Sequence, residues 1–137
     1  MQKVKIYLDD VRIPLEKEWI VVKNYDEFVE KINEIGFENI DIVSLDHDLG
    51  DTAMQEYYNN VSPNYKLDYD NIKEKTGYDC AKWLVENWLD GKPVFEVVVH
   101  SANPIGSSNI TGYINNYFMN IGVRQSCVRV RIPHIVS

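Results

Sequence analysis

Two largely apolar runs constrain the fold more than any other feature of the sequence. The first, Ile40–Leu45 (IDIVSL), ends in the charged cluster Asp46-His47-Asp48, and the second, residues 94–99 (VFEVVV), ends in His100-Ser101. Apolar runs of this length are typical of strands that are buried on both faces of a parallel sheet. The sequence therefore predicts a parallel sheet whose strands end in polar groups.

Other strand and helix patterns alternate along the chain. Val4–Leu8 and Trp19–Val22 favour strands, and residues 128–132 alternate like a half-exposed edge strand. Capping and amphipathic patterns predict helices over residues 26–35, after Thr76, and from Ser107 or Ser108. Alternating strands and helices predict the α/β class, with an open, mainly parallel sheet of about five strands. A chain of 137 residues suits a single domain, so we expect one domain over residues 1–137.

Residues 51–75 are the exception to this regular pattern. They show no sustained period, and they hold four of the nine tyrosines, Tyr57 and Tyr58 among them. A long loop inside a compact domain is usually functional or disordered. We therefore predict a tyrosine-rich lid or substrate-binding flap, with a merely variable insertion as the alternative.

Composition limits the possible partners. The chain has 14 basic and 21 acidic residues, a formal net charge of −7, so binding of duplex nucleic acid or of an anionic membrane surface is not expected. No segment has the pattern of a signal peptide or a membrane span. Two cysteines without a C-x-x-C spacing fit a reduced, cytoplasmic protein.

Polar side chains follow three of the predicted strands. The carboxyl ends of parallel strands meet at one edge of an open sheet, where ligands bind, so we expect these side chains to lie close together. The set is Asp9, Asp10 and Arg12, then Asp46, His47 and Asp48, then His100, Ser101 and Asn103.

These residue types suit phosphate chemistry with a metal ion. Asp9, Asp10 and Asp46 offer the hard oxygen ligands that Mg²⁺ or Mn²⁺ takes. His47 and His100 are candidates for general acid and base, because imidazole titrates near neutrality. The alternatives are a capped turn at Asp9-Asp10 and an ordinary strand-to-helix turn at residues 101–104.

Several other motifs fail on spacing. An EF-hand that began at Asp46 would need glycine at its sixth position and glutamate at its twelfth, where this chain has Asp51 and Tyr57. Neither the P-loop pattern nor the G-x-S-x-G elbow occurs. Asp46-His47-Asp48 has the D-x-D form of haloacid-dehalogenase phosphatases, but Gly50 stands where those enzymes usually have Thr or Val.

The strand-end residues resemble those of the receiver domain of two-component signalling. There the paired acids, here Asp9-Asp10, bind Mg²⁺, the later aspartate, here Asp46, accepts phosphate, and a hydroxyl residue, here Ser101, senses it. The chain departs from a receiver in having Arg131 near the position of the usual lysine. We also expect a reduced first helix and a reduced or absent last helix, and His47 and His100 are not receiver features.

The fuller pattern, LDDVRIP, LDHDLG, TGYDCAKWL and HSANPIG, is more similar to a derived branch, the cyclic-phosphate-processing receiver-like domain family. The resemblance implies a receiver-like (flavodoxin-like) fold and activity on a cyclic phosphate or a nucleotide-derived phosphate ester.

Two functional hypotheses follow. The first is a metal-dependent phosphoesterase acting on a small phosphorylated, nucleotide-like ligand, with Mg²⁺ or Mn²⁺ as cofactor. In it, Asp46, His47 and His100 are catalytic, and Asp46 is either the nucleophile or a metal ligand. The second is a non-catalytic module that binds a phosphorylated ligand, or a divergent receiver phosphorylated on Asp46. The expected substrate-binding residues are Arg12, Asp48, Ser101, Asn103, Tyr57 and Tyr58, the tyrosines by stacking on a base.

Overall fold

Five parallel strands form the main sheet of the computed structural model, which describes residues 2–136. Their order across the sheet is β3-β1-β4-β5-β6. With the short strand β2, Arg12–Pro14, set aside, this is the 2-1-3-4-5 order of the flavodoxin-like folds, as predicted. The strands are β1 Val4–Leu8, β3 Trp19–Val22, β4 Ile40–Leu45, β5 Glu96–Val99 and β6 Val128–Arg129.

Three long helices connect these strands. Helix α1 is capped by Asn24, and α4 begins with a capping box between Thr76 and Asp79, as its sequence predicted. The start predicted for the last helix is wrong. It is capped by Asn103 rather than by Ser107 or Ser108, and Pro104 takes the first helical position, which suits a residue without an N–H. The helices are α1 Tyr25–Ile35, α4 Gly77–Leu89 and α5 Pro104–Asn120.

The three helices lie on one face of the sheet. Each crossover, from β3 to β4, from β4 to β5 and from β5 to β6, moves in the same direction across the sheet. Since such crossovers are right-handed, all three helices are placed on the same side. The core forms between them and the strand residues that face them, among them Ile6, Val43, Leu45, Val97 and Val99.

No helix in the described residues connects β1 to β3. That connection contains the short strand β2, Arg12–Pro14, which pairs antiparallel with β7, His134–Val136. The reduced first helix is thus confirmed, and β7 follows β6 where a receiver has its last helix. The residues between β6 and β7 therefore run from one edge of the sheet toward β2, along the carboxyl ends of the strands. We call residues 130–133 the crossing segment.

The segment predicted as a loop, residues 51–75, is helical over its first half. Helix α2, Asp51–Glu56, continues through a π-helical turn, Tyr57–Val61, into α3, Ser62–Asn64. The prediction of an irregular loop is wrong there, because Glu56 and Glu74 organise the segment. Glu56 accepts hydrogen bonds from Asn60, Asp68 and Asn71, and Glu74 binds Thr52 and the N–H of Ala53. A role as a lid stays a prediction.

Candidate functional site

The pleat of the sheet brings Asp9, Asp46 and His100 together. Tyr7 pairs with Ser44, and Ser44 pairs with Val98, so these three share the face opposite the helices. Side chains alternate between faces, so the residues two positions later, Asp9, Asp46 and His100, point to that face too. One ligand atom from each of the three lies within 4.8 Å of the other two.

Asp9 is fully buried, and its two oxygens accept four hydrogen bonds. Oδ1 accepts from the backbone N–H groups of Val11 (3.0 Å) and Arg12 (2.8 Å). Oδ2 accepts from Arg12 Nε (2.7 Å) and lies 3.0 Å from His100 Nε2. Burial opposes ionisation of Asp9, but the hydrogen bonds and the guanidinium charge outweigh it and lower its pKa. Asp9 is therefore a charged anchor for Arg12 and His100.

Asp46 is only 4% exposed, and only one of its oxygens has a partner among residues 2–136. Oδ1 accepts from the N–H of His47 (2.8 Å) and forms an ion pair with Arg12 Nη2 (3.1 Å). Oδ2 accepts no hydrogen bond from any residue among 2–136. Burial, aided by the negative charge of Asp9, raises the pKa of Asp46 to about 7, although Arg12 acts in the opposite direction.

His100 links Asp9 to the sheet. Its Nδ1 lies 2.7 Å from Ser44 Oγ, and its ring stacks on Tyr7 with the ring centroids 4.1 Å apart. Burial lowers the pKa of His100, in spite of the neighbouring Asp9. In the neutral ring, Nε2–H donates to the Asp9 carboxylate and Nδ1 accepts from the Ser44 hydroxyl. Ser44 was not predicted as a site residue; the only signal was a hydroxyl within an apolar strand.

A second cluster forms around His47, on the helix side of the sheet. Its ring is fully buried, with Nδ1 2.6 Å from Asp48 Oδ1 and Nε2 3.0 Å from the Tyr69 hydroxyl. Burial raises the pKa of Tyr69 to about 12, so this hydroxyl keeps its proton. In the neutral ring, Nδ1–H donates to Asp48, and Nε2 accepts from Tyr69. Since Tyr69 was one of several tyrosines without individual signals, the sequence did not single it out.

Asn103 connects this second cluster to helix α5. Its Oδ1 accepts from the N–H of Gly106 at 2.9 Å, and its Nδ2 donates to Asp48 Oδ1 at 3.2 Å. Ser101 is also engaged, because its Oγ accepts from the N–H of Asn103. These contacts are those of a strand-to-helix turn, the alternative interpretation for residues 101–104. Phosphate binding by Asp48, Ser101 and Asn103 stays a prediction.

Tyr69→Phe tests how firmly the second cluster is held. Removing the hydroxyl deprives His47 Nε2 and Asn109 Nδ2 of a hydrogen-bond partner, so we expect a loss of about 1–2 kcal/mol in the free energy of unfolding. Urea denaturation followed by tryptophan fluorescence measures it. Tyr58→Phe is the control, since Tyr58 is 65% exposed and should change stability little. Equal stability of both variants would contradict the proposed hydrogen bonds.

Three predicted site residues lie outside both clusters. Tyr57 and Tyr58 lie on the π-helical turn and pack edge to face with their ring centroids 5.3 Å apart. Asp10 is half-buried, and burial, helped by the charge of Asp9, raises its pKa. Their roles in base stacking and in metal binding stay predictions.

The chemistry of Asp9, Asp46 and His100 fits a divalent cation. Two carboxylates and an imidazole suit Mn²⁺ better than Mg²⁺, which prefers oxygen ligands. The group differs from the predicted set in containing His100 in place of Asp10. The guanidinium of Arg12 lies between the carboxylates of Asp9 and Asp46 and pairs with both. A cation would therefore have to bind these two carboxylates alongside the guanidinium.

The helices offer no sign of membrane insertion: none within residues 2–136 combines the length and the apolar character that a membrane span requires.

Comparison with known proteins supports the resemblance inferred from the sequence. The family model described as the cyclic-phosphate processing receiver domain matches residues 4–116, a span that contains Asp9, Arg12, Asp46 and His100. A search of curated proteins and a search of solved structures each found no match. Because the match covers most of the chain, this protein belongs to the cyclic-phosphate processing receiver domain family.

Proposed function

We propose that this protein is a phosphoesterase that hydrolyses a cyclic phosphate or a nucleotide-derived phosphodiester with the help of a divalent cation. The observation that carries the proposal is the free Oδ2 of Asp46. This oxygen belongs to a nearly buried carboxylate, beside Arg12 and at the carboxyl edge of the sheet, where ligands bind in open α/β folds.

Asp46 is the reactive group in the simplest form of the reaction. The oxygen of a water molecule forms a bond to phosphorus while Oδ2 accepts the water proton. The ring P–O bond of the cyclic ester breaks, and the proton passes from Oδ2 to the departing oxygen, which leaves as a hydroxyl. A carboxyl group whose pKa lies near the working pH suits both the acceptance and the return of a proton. Direct attack of Asp46 on phosphorus is the variant of this scheme that forms an aspartyl phosphate.

Arg12 is the group that binds the phosphate. Its guanidinium is held by Asp9 through Nε, and its Nη2 reaches Asp46. A planar guanidinium fixed in this way presents N–H groups to phosphate oxygens without further ordering. In the metal-free protein Asp9 and His100 act as positioning residues, since their polar atoms bind Arg12, Ser44 and each other. A bound cation would replace the hydrogen bond between His100 and Asp9. The proton-transfer roles predicted for His47 and His100 stay predictions.

Asp9, Asp46 and His100 are the residues that would hold Mn²⁺ or Mg²⁺. When bound, such an ion supplies positive charge that stabilises negative charge developing on the phosphate oxygens.

Turnover of cyclic phosphates tests the proposal. The wild-type protein with Mn²⁺ is incubated with 2′,3′-cyclic nucleotides and cyclic dinucleotides, and the products are followed by ³¹P NMR. We expect ring opening by the wild type, loss of activity on metal removal by EDTA, and a rate for Asp46→Asn lower by about 10²–10⁴-fold. Asp41→Asn is the matched control, since Asp41 is exposed at the other end of β4.

The same experiment separates the alternatives. Stoichiometric ligand capture without product would contradict catalysis and support a binding module. Mass spectrometry of the quenched protein, with Asp46→Asn as control, detects an aspartyl phosphate: a transient adduct during turnover identifies Asp46 as nucleophile. A stable adduct formed with a small phosphodonor, and no hydrolysis of any ester, would instead support the divergent receiver.

A further inference from the structure

Three of the four arginines of this acidic chain line one cleft. The cleft has a volume of about 670 Å³ and lies at the carboxyl edge of the sheet, where Arg12 and His100 of the Asp46 site line it. Within residues 2–136, no acidic side chain lines it. The lining residues are Arg12, His100, Ser101, Ala102, Arg129, Val130, Arg131, Ile132 and His134.

Two of these arginines have no acidic partner among residues 2–136. Arg12 is paired with Asp9 and Asp46. The side chain of Arg129 makes one hydrogen bond within residues 2–136, from its Nε–H to the backbone oxygen of Ser101 at 3.0 Å. Arg131 makes no hydrogen bond or ion pair with any residue in that range. The cleft therefore carries two guanidinium groups whose charge the described protein does not neutralise, in a chain with a net charge of −7.

The backbone holds both arginines over the cleft. Arg129 lies in β6, paired with Val99, and the N–H of Val130 donates to the oxygen of Val99 at 2.7 Å. At the other end of the crossing segment, the N–H of Leu15 donates to the oxygen of Pro133 at 2.9 Å. The segment that carries Arg131 is thus fixed at both ends, and the two side chains need little backbone ordering to bind an anion.

We propose that Arg129 and Arg131 bind a second phosphate group of the substrate, distinct from the phosphate that reacts at Asp46. The substrate class is then a cyclic phosphate that carries a further phosphate or diphosphate, such as a nucleotide phosphorylated at its 5′ end. This inference rests on the proposed function, because Arg12 and His100 belong both to the cleft and to the Asp46 site.

Size and chemistry support this substrate class. Ligand clefts for small molecules commonly measure about 300–1,000 Å³, so the cleft has room for a nucleotide. Arginine binds phosphate through two parallel hydrogen bonds, which an isolated lysine cannot provide. Both arginines lie beyond residues 4–116, the span matched by the family model.

Binding of pyrophosphate to the metal-free protein is the first test. Isothermal titration in EDTA is carried out on the wild type and on Arg131→Gln, with Arg129→Gln as a second variant. We expect each variant to weaken binding by about tenfold, the effect of one charged hydrogen-bond partner. Arg124→Gln is the matched control, because Arg124 is exposed, as Arg129 and Arg131 are, but does not line the cleft. Equal binding by the Arg131→Gln and Arg124→Gln variants, or no binding by the wild type, would overturn the proposal.

Turnover of paired substrates is the second test. A nucleoside 2′,3′-cyclic phosphate is compared with the same compound carrying a 5′-phosphate. We expect the 5′-phosphate to lower KM in the wild type and in Arg124→Gln but not in Arg131→Gln, with kcat little changed. Turnover without any effect of the 5′-phosphate would overturn this inference and leave the phosphoesterase standing. Pyrophosphate binding that depends on Arg131, without turnover of either compound, would support the anion site and contradict catalysis.

Discussion

Asp46→Asn is expected to make the metal-free protein more stable at about pH 8 while it removes activity. The pKa of Asp46 is raised from 3.8 to about 7, so the folded protein binds a proton that the unfolded chain has lost. Asp46 therefore contributes its full stabilisation to the folded protein below about pH 4, and this contribution to the free energy of unfolding decreases as the pH rises toward 7. An amide cannot ionise and still presents an oxygen to Arg12, so the variant avoids this loss, on the order of 2–4 kcal/mol.

The measurement compares the two proteins across pH, because other groups titrate in the same range. The pKa of His100 is lower in the folded protein than in the unfolded chain. Its titration therefore raises the free energy of unfolding as the pH increases, up to the pKa of the unfolded histidine, whereas the titration of Asp46 lowers it. The difference in free energy of unfolding between Asp46→Asn and the wild type should be near zero at about pH 4 and largest at about pH 8. Urea denaturation in EDTA measures it, and Asp41→Asn serves as the control.

Addition of Mn²⁺ extends this comparison without reference to activity. A cation held by Asp46 relieves the repulsion between carboxylates, so Mn²⁺ should raise the melting temperature of the wild type by mass action. The increase should be much smaller for Asp46→Asn. Wild-type stability that does not fall relative to the variant between pH 4 and 8 would contradict the ionisation assigned to Asp46. Equal increases with Mn²⁺ would contradict its role as a ligand.

Gly77→Ala is expected to destabilise the protein strongly and to displace Asp46. A Cβ at Gly77 would lie 1.8 Å from the backbone oxygen of Asp46 and 2.8 Å from its carbonyl carbon. Backbone atoms cannot turn aside as a flexible side chain can, so helix α4 and the end of β4 have to separate. That separation also strains the hydrogen bond from the N–H of Gly77 to the oxygen of His47. We expect a loss of about 3 kcal/mol or more, together with a large fall in turnover.

Gly112→Ala provides the matched control. Gly112 lies within helix α5, and a Cβ there would meet nothing within 4 Å. Alanine should therefore stabilise the helix by about 0.5–1 kcal/mol. Thermal and urea unfolding of the two variants should give changes of opposite sign. A neutral effect of Gly77→Ala would contradict the close contact between α4 and the Asp46 backbone.

The positions of Asp9, Asp46 and His100 follow from regularities already present in the sequence. Each follows a buried strand. Each also lies two residues beyond a strand residue on the face opposite the helices, and these strand residues are Tyr7, Ser44 and Val98 respectively. The period of two residues in a strand places all three on one face, and parallel pairing places them at one edge. Because successive residues point to opposite faces, His47, the neighbour of Asp46, faces the helices.

Residues 51–75 show where the sequence was insufficient. Their irregular polarity predicted a loop, yet tertiary contacts organise helical turns there. Glu56 is nearly buried and accepts three hydrogen bonds, a stabilisation that local propensity does not indicate. Tyr69 reaches His47 because this segment folds back against helix α5, where Asn109 donates to the same hydroxyl.

The sequence by itself determined the class of fold, the edge at which the polar groups gather and, through the family resemblance, the link to cyclic phosphates. These depend on local periodicity and on the order of motifs, both of which can be read along the chain. Only the tertiary structure decided that Arg12 bridges Asp9 and Asp46, and that His47 and His100 belong to separate clusters. It also decided that Arg129 and Arg131 lie over the same edge, because the pairing of β2 with β7 joins segments more than a hundred residues apart.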